Sequence, residues 1–355
     1  MRLPRPPTGE GLIVIDGSYG EGGGQILRTS LSLAALCRRP TELVRIRAGR
    51  EKPGLAPQHL MCAQAVRAIS AGALDGAELR SQRLRITPGR VQPGSYSFDI
   101  GENQPSAGST SLLFQTLLPA LLLADDRSEL RLVGGTHVPW SPPFPYLEHV
   151  FLPALRAMGA PVAASLAAAG WYPRGQGEAT FSVPPVSGLS PLEWTDRGRI
   201  VRARCISAVS NLPDHIAERQ FAAAAGPLRE IGVPVEKELL SLPSVGQGTV
   251  CFLALEFERG LAGFTSLGRR GKPAEKVGRE AAAEALSFLR GTSCVDKHLG
   301  DQLVLYLALA EGQSKLAVEE VTLHLITNTW AVRNYLDVRI KVDGDMGQPG
   351  VIIVG

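Results

Sequence analysis

LIVIDG at residues 12–17, QILRTSLSLAALC at 25–37, TELVRIRAG at 41–49 and LAPQHLMCAQAVRAISAG at 55–72 decide the fold class between them. The first is a β-branched run closed by glycine, the mark of a buried strand. The second carries apolar residues at helical spacing, the third returns to strand, and the fourth is a helix closed by Gly72. LRSQRLRITPG (79–89) and SYSFDIGE (95–102) then read as a strand pair.

The same order returns twice. STSLLFQTLLPALLLA (109–124) predicts a helix, SELRLVGGT (128–136) a strand, FPYLEHVFLPALRAMG (144–159) a helix, and PVAASLAAAGWYP (161–173) and GEATFSVPP (177–185) strands. Near the end, LGDQLVLYLALA (299–310) is helical and KLAVEE (315–320) extended. A helix follows around Asn328–Leu336, then the strands RIKVDGDM (339–346) and GVIIVG (350–355). An α/β (α+β) chain with a large domain of three repeated units is predicted. PPVSGLSPLEW (184–194) is a Pro/Gly/Ser linker, and behind it lie the strand IVRARCISAVS, the helix DHIAERQFAAAAGPLREIG, two further strands and the helix PAEKVGREAAAEALSFLRG. These predict a small α/β domain over 187–290, inserted into a large one made of 1–186 plus 291–355.

With 355 residues, 44% apolar and 20% charged, the chain is globular rather than disordered, and its net charge of +3 gives no general nucleic-acid footprint. Any such site has to come from local clustering. The five cysteines (37, 62, 205, 251, 294) are scattered and odd in number, which argues against a disulfide framework or zinc site and suits a reducing compartment. MRLPRPPTGEG has no apolar core of signal-peptide length. The longest apolar stretch, Leu112–Ala124, falls short of the roughly 20 residues of a membrane span. A cytoplasmic enzyme with no membrane contact and no evident obligatory protein partner is expected.

Four segments carry chemistry. DGSYGEGGGQILR (16–28) follows a strand and opens a helix. Its glycines let backbone approach a ligand and its helix start favours anions, although a tight turn alone explains the same pattern. It is neither a Walker A loop nor a dinucleotide fingerprint. Glu21 among the glycines can approach a hydrated divalent metal. In VRIRAGREKPGLAPQHL (44–60), Arg45 and Arg47 would share one strand face, with Arg50 in the turn behind them. Guanidinium groups suit phosphates; the charge alone reads more plainly as a solvated edge strand, and Gln58 with His59 at a helix start shifts the balance toward an anion site. In HLGDQLVLYLAL (298–309), Asp301 and Gln302 enter an apolar helix, where they either cap it or meet a nucleoside that stacks on His298. In TLHLITNTWAVRNYL (322–336), His324 lies between leucines just ahead of a helix that Thr327 or Asn328 would cap. It is either a core histidine or a nucleophile: a neutral imidazole can attack phosphorus.

Taken in order, DGSYGEGGGQILR, IRAGREKPGLAPQHL, SAGSTSLLFQTLLPAL, GGTHVPWSPP, GWYPRGQGE, HLGDQLVL and HLITN resemble RNA 3′-terminal phosphate cyclases over essentially the whole chain. The resemblance implies a large domain of three βαβαββ-type units with a smaller insert. It also implies an ATP-dependent conversion of an RNA 3′-phosphate into a 2′,3′-cyclic phosphate. His324 then takes AMP from ATP, and Glu21 binds a metal (Mg2+ or Mn2+) near the triphosphate. Arg28, Arg47, Arg50, Gln58 and His59 handle phosphates and the RNA end. Gln115 with His298, Leu299, Gly300, Asp301 and Gln302 forms the ATP pocket. GQG at Gly175–Gly177 departs from the family's three glycines, and Pro145 stands where an acidic residue is common. A non-catalytic RNA-binding relative would lack the His324 motif, and an enolpyruvyl transferase would not need it.

Overall fold

The computed structural model describes residues 11–102 and 106–355. The first ten residues, over which no signal peptide is expected, lie outside the described ones. The chain is a mixed α/β protein with four mixed four-stranded sheets.

The first sheet is built from β1 (Ile13–Asp16), β2 (Thr41–Val44), β3 (Ala73–Asp75) and β4 (Leu84–Thr87), with α1 (Gly24–Cys37) between the first two strands and α2 (Pro57–Ile69) after them. Its order is β1-β2-β4-β3, with β1 and β2 parallel. The next run is β5 (Ser95–Asp99), α3 (Thr110–Leu122), β6 (Ser128–Gly134), a helical stretch, β7 (Ala163–Ala168) and β8 (Gly177–Val183). The helical stretch is α4 (Phe144–Tyr146), a π-helical segment (Leu147–Phe151) and α5 (Leu152–Ala157). The sheet order is β5-β6-β8-β7, again with the first pair parallel.

The segments 79–89 and 95–102 are therefore not partners. β4 pairs with β2 and β3, whereas β5 runs parallel to β6. Pro88 and Pro93 punctuate the connection, and neither can donate to a ladder. β5 instead lays Tyr96 and Phe98 against the core.

β9 (Glu193–Trp194) is followed by β10 (Ile200–Ser210), α6 (His215–Glu230), β11 (Val235–Ser241), β12 (Gly248–Phe257), β13 (Gly260–Leu267) and α7 (Ala274–Arg290). The last four strands form a sheet of order β11-β10-β12-β13. This region has its own apolar cluster, including Phe221, Leu253, Phe264 and Phe288. The chain closes with α8 (Lys297–Leu309), β14 (Ser314–Val318), α9 (Leu323–Arg333), β15 (Ile340–Asp343) and β16 (Gly350–Val354). β9 pairs parallel to β14, and the strands of the β11-β10-β12-β13 sheet follow it in the chain.

Three further expectations shift. The strand over 41–49 stops at Val44, because Arg45 and Arg47 have left-handed backbone (φ 52° and 53°). They do not share a strand face. The last helix starts at Leu323, capped by the Thr322 hydroxyl on Leu325 N–H at 3.0 Å, not by Thr327 or Asn328. His324 thus sits inside its first turn. The departure at Gly175–Gly177 keeps a left-handed turn, with Gln176 at φ 57°. The apolar run 112–124 is the buried α3, and among the described residues no helix is long and apolar enough to cross a membrane.

Candidate active site

β1 delivers the chain to the glycine turn, and two close approaches explain why glycine is needed there. At Gly20 (φ 57°) a Cβ would collide with Thr327 Oγ1 of α9. At Gly24 it would collide with the His59 ring of α2. The turn is therefore clamped between two helices, and Glu21 is held where α9 begins: its N–H donates to Thr327 Oγ1 at 3.3 Å.

Four side chains converge at this point. The Glu21 carboxylate is ion-paired with Arg50, and its other oxygen lies 3.5 Å from His324 Nε2. His324 Nδ1 is hydrogen-bonded to the amide oxygen of Gln25, which is buried in the first turn of α1. With the oxygen accepting, Nδ1 carries the proton and Nε2 keeps its lone pair. The imidazole is about half exposed (46%), so Nε2 is reachable from solvent. Partial burial lowers the His324 pKa, and the positive charges of Arg28, His298 and Arg50 lower it further. The ring is mostly neutral at pH 7.

His59 is shifted further, and burial is the main cause. Burial first, then Arg28, Arg47 and Arg50, push it down to about 3, and its buried Nδ1 has no hydrogen-bond partner. Burial also lowers the Arg28 pKa, with the Asp301 charge opposing. Arg47 donates to Gly54 O at 2.9 Å, which folds the turn ahead of α2. Arg45, by contrast, leaves the group: it pairs with Asp16, whose carboxyl the guanidinium holds down at about 2. No side chain caps α1 or α2, so the first N–H groups of α1 are open to an anion, whereas α2 begins with Pro57 and its His59 N–H donates to Ala56 O at 2.9 Å.

The other predicted residues are committed to structure. Gln58 Oε1 accepts from Ser109 N–H at 2.9 Å at the start of α3. Gln115 Nε2 donates to Gln302 Oε1 at 2.7 Å, joining α3 to α8. Leu299 is in the core, and Gly300 permits close packing of α8 on Val318. Burial raises the Asp301 carboxyl well above its ordinary value, and the Asp296 charge adds to this. His298 is exposed on the first turn of α8. Among the described residues no three His, Cys, Asp or Glu side chains stand together to hold a metal, so Glu21 is a single carboxylate.

Sequence reasoning missed Gln25, Asn328 and Asp296. Asn328 accepts from Thr29 (2.7 Å) and donates to Asp301 O (2.9 Å), tying α9 to α1 and α8. The buried Asp296 caps α8 and also accepts from Tyr146 Oη (2.9 Å) and Gly263 N–H (3.0 Å). Gln25 and Asn328 lay inside quoted motifs, but nothing in either motif told their partners.

The family model described as RNA 3′-terminal phosphate cyclase matches residues 19–342. The RNA 3′-terminal phosphate cyclase of Pyrococcus furiosus is 42% identical over 97% of this chain and 98% of its own. That of Methylococcus capsulatus is 45% identical over 93% of each chain. Among solved structures, the EPSP synthase of Acinetobacter baumannii aligns with a TM-score of 0.29 and 12% identity over 99% of this chain and 66% of its own. A likeness at that level bears on neither fold nor function. By the first three matches the chain is a ligase-type enzyme. It belongs to the RNA 3′-terminal phosphate cyclase family.

Proposed function

We propose that this chain converts an RNA 3′-terminal phosphate into a 2′,3′-cyclic phosphate at the expense of ATP, through a covalent adenylyl group on His324. The observation that carries the proposal is the pairing of Nδ1 with Gln25, which leaves Nε2 unprotonated, half exposed and beside Glu21 and Arg50. Nε2 attacks the α-phosphorus of ATP, and the bond to the β-phosphate oxygen breaks to release pyrophosphate. The proton stays on Nδ1, held by Gln25. The RNA 3′-phosphate then displaces the imidazole, giving an RNA–pp–adenosine end. The vicinal 2′-hydroxyl attacks the RNA phosphorus, giving up its proton to solvent, and the bond to the AMP phosphate oxygen breaks to expel AMP. The activation is required because a phosphate monoester has no good leaving group.

Every step gathers anions, so positioning and charge stabilisation dominate. In this reading Arg28, Arg47, Arg50 and the open start of α1 bind the transferred phosphates, and neutral His59 and Gln58 border the RNA end. Gln115, His298, Asp301 and Gln302 border the nucleoside; Leu299 and Gly300 contribute by setting the α8 backbone. Glu21 is the residue that would hold Mg2+ or Mn2+, which keeps most of its waters and needs few carboxylates when phosphates complete its shell. A bound metal would supply charge neutralisation of the triphosphate.

The same reading takes 1–186 plus 291–355 as the catalytic domain of three βαβαββ-type units, supported by the shared strand order of three of the sheets, the third of which also takes in β9 from beyond residue 186. It takes the intervening stretch as an inserted domain, supported by its separate apolar cluster. A cytoplasmic setting is supported by the five buried free cysteines.

The test is incubation with α-labelled ATP and Mg2+, followed by denaturation. Label should stay on the wild-type chain through an acid-labile, alkali-stable bond and be absent from His324→Asn. Full labelling of His324→Asn would move the nucleophile elsewhere.

A further inference from the structure

Two exposed aromatic side chains stand apart from the residues discussed so far. Trp140 is 95% exposed, on left-handed backbone (φ 60°), and Tyr172 is 67% exposed. Each presents a flat ring to water, a surface on which a planar group can stack. Their loops are neighbours: His137 forms a parallel β-bridge with Trp171, and the two rings meet at a tilt with centroids 4.7 Å apart. Trp171 in turn packs with Ala169, Ala208 and Val250, a small cluster that joins the β7–β8 loop to one end of the β10–β13 sheet.

Cations collect around this joint. Arg174 reaches across it and donates to Val245 O at 3.2 Å. On the far side, Gly248 lies against the Trp171 ring and Gly268 N–H donates to Thr249 O at 2.8 Å. The exposed Arg269 and Arg270 follow directly. Among the described residues none of these three guanidinium groups has an acidic partner.

The joint is also continuous with the candidate active site. A Cβ at Gly175 would sit 2.9 Å from Ser106 O, and one at Gly108 would sit 3.0 Å from Gln58 Cβ. The segment 106–109 therefore touches the Tyr172–Gly177 turn on one side and the phosphate-side Gln58 on the other.

We propose that Trp140, Tyr172, Arg174, Arg269 and Arg270 form a platform for single-stranded RNA that extends the site away from the reacting end, an inference that rests on the cyclase reading above. Aromatic faces stack any base, and unpaired guanidinium groups track the phosphates; the combination holds single strands without reading sequence. The inserted region acquires a role through this: it supplies Arg269 and Arg270, and so adds to the length of strand that is held.

The test uses the full chain and two 3′-phosphorylated oligoribonucleotides, of two and twelve nucleotides, with affinities measured by competition against a fluorescent 12-mer. Wild-type protein should hold the 12-mer more tightly than the dinucleotide. The double variant Trp140→Ala/Tyr172→Leu should weaken 12-mer binding about tenfold and leave the dinucleotide unchanged. Arg269→Ala/Arg270→Ala should flatten the salt dependence of log K for the 12-mer by roughly 1.4, two single-strand phosphate contacts. Melting temperatures check that the variants fold. Unchanged 12-mer binding, equal weakening of both lengths, or a wild type that binds both lengths alike would each overturn the platform. Labelling by α-labelled ATP separates the two ideas. Intact labelling without length dependence removes the platform alone, and absent labelling of wild-type protein removes the cyclase reading itself.

Discussion

The two sides of the candidate active site are finished differently. On the α1/α2 side the helix starts have no side-chain caps, Arg28 is half-buried and among the described residues has no ion pair, and His59 keeps a buried, unpartnered Nδ1. On the α8 side the polar groups are already matched: Asp296 caps its helix, Gln302 meets Gln115, and Asn328 takes Asp301 O. Unsatisfied donors and uncompensated cations cost stability unless a ligand satisfies them, so the first side is built for an anion it does not hold by itself. The second is a preformed wall. Open hydrogen bonds mark a surface that a ligand's charge completes, and matched ones a surface already shaped for its ligand.

The comparison breaks most readily through Glu21 and Arg50. If the open side does the chemistry, Glu21→Ala and Arg50→Lys should each slow adenylyl transfer on the order of a hundredfold, because lysine keeps charge but loses the two-pronged fork. Both should leave thermal stability within about 0.5 kcal/mol, as these are partly exposed side chains. A large loss of melting temperature with near-normal transfer would reverse the assignment of the two sides.

The matched side should show the opposite pattern. Asp296→Ala removes the acceptor of Tyr146 Oη and of three backbone N–H groups in a buried place. A loss of about 3 kcal/mol by denaturant titration is expected. Gln115→Leu, which removes one half-buried hydrogen bond between side-chain amides, should cost about 1 kcal/mol. Equal costs for the two would mean that Asp296 is less integral than its bonds imply.

A smaller effect sharpens the comparison through pH. The folded-state pKa of His324 is lowered, so its reactive neutral form survives to lower pH than a free imidazole would. Single-turnover labelling should rise with pH along an acid limb centred below 6.5 and then level off. The structural histidines act on stability instead. His59 and buried His137 both have folded values near 3. The unfolded chain therefore binds more protons between about 6.5 and 3. Their contribution is present at neutral pH and lost as pH falls through that window. Melts at pH 7 and pH 4.5 should differ less for His137→Gln than for wild type. An acid limb centred above 6.5, or no change in the melts, would contradict the burial that lowers these groups.

Much was legible in the chain because it is local chemistry. The alternation of strand and helix, the glycine turn, the arginine run and the HLITN segment all follow from neighbours a few residues apart, where periodicity and backbone freedom act. The strand pairing of β5 was not legible, since an extended segment with alternating Tyr96 and Phe98 suits either neighbouring sheet. Nor was the start of α9: Thr322, Thr327 and Asn328 are all competent caps, and the contact of Gly20 with Thr327 marks that residue as a packing point of the turn.

By itself, then, the sequence determined the α/β class, the order of elements, the family and a short roster of polar residues. Only the tertiary structure decided which of them face one another. His324 and Gln25 are 299 residues apart, Glu21 and His324 meet across two elements, and Asp296 draws on Tyr146 and Gly263 from separate segments. Such pairings come from burial and from the geometry of helices packed side by side, which no short window of residues encodes. Whether a polar side chain is left open for a ligand or spent on the fold is decided by the same packing.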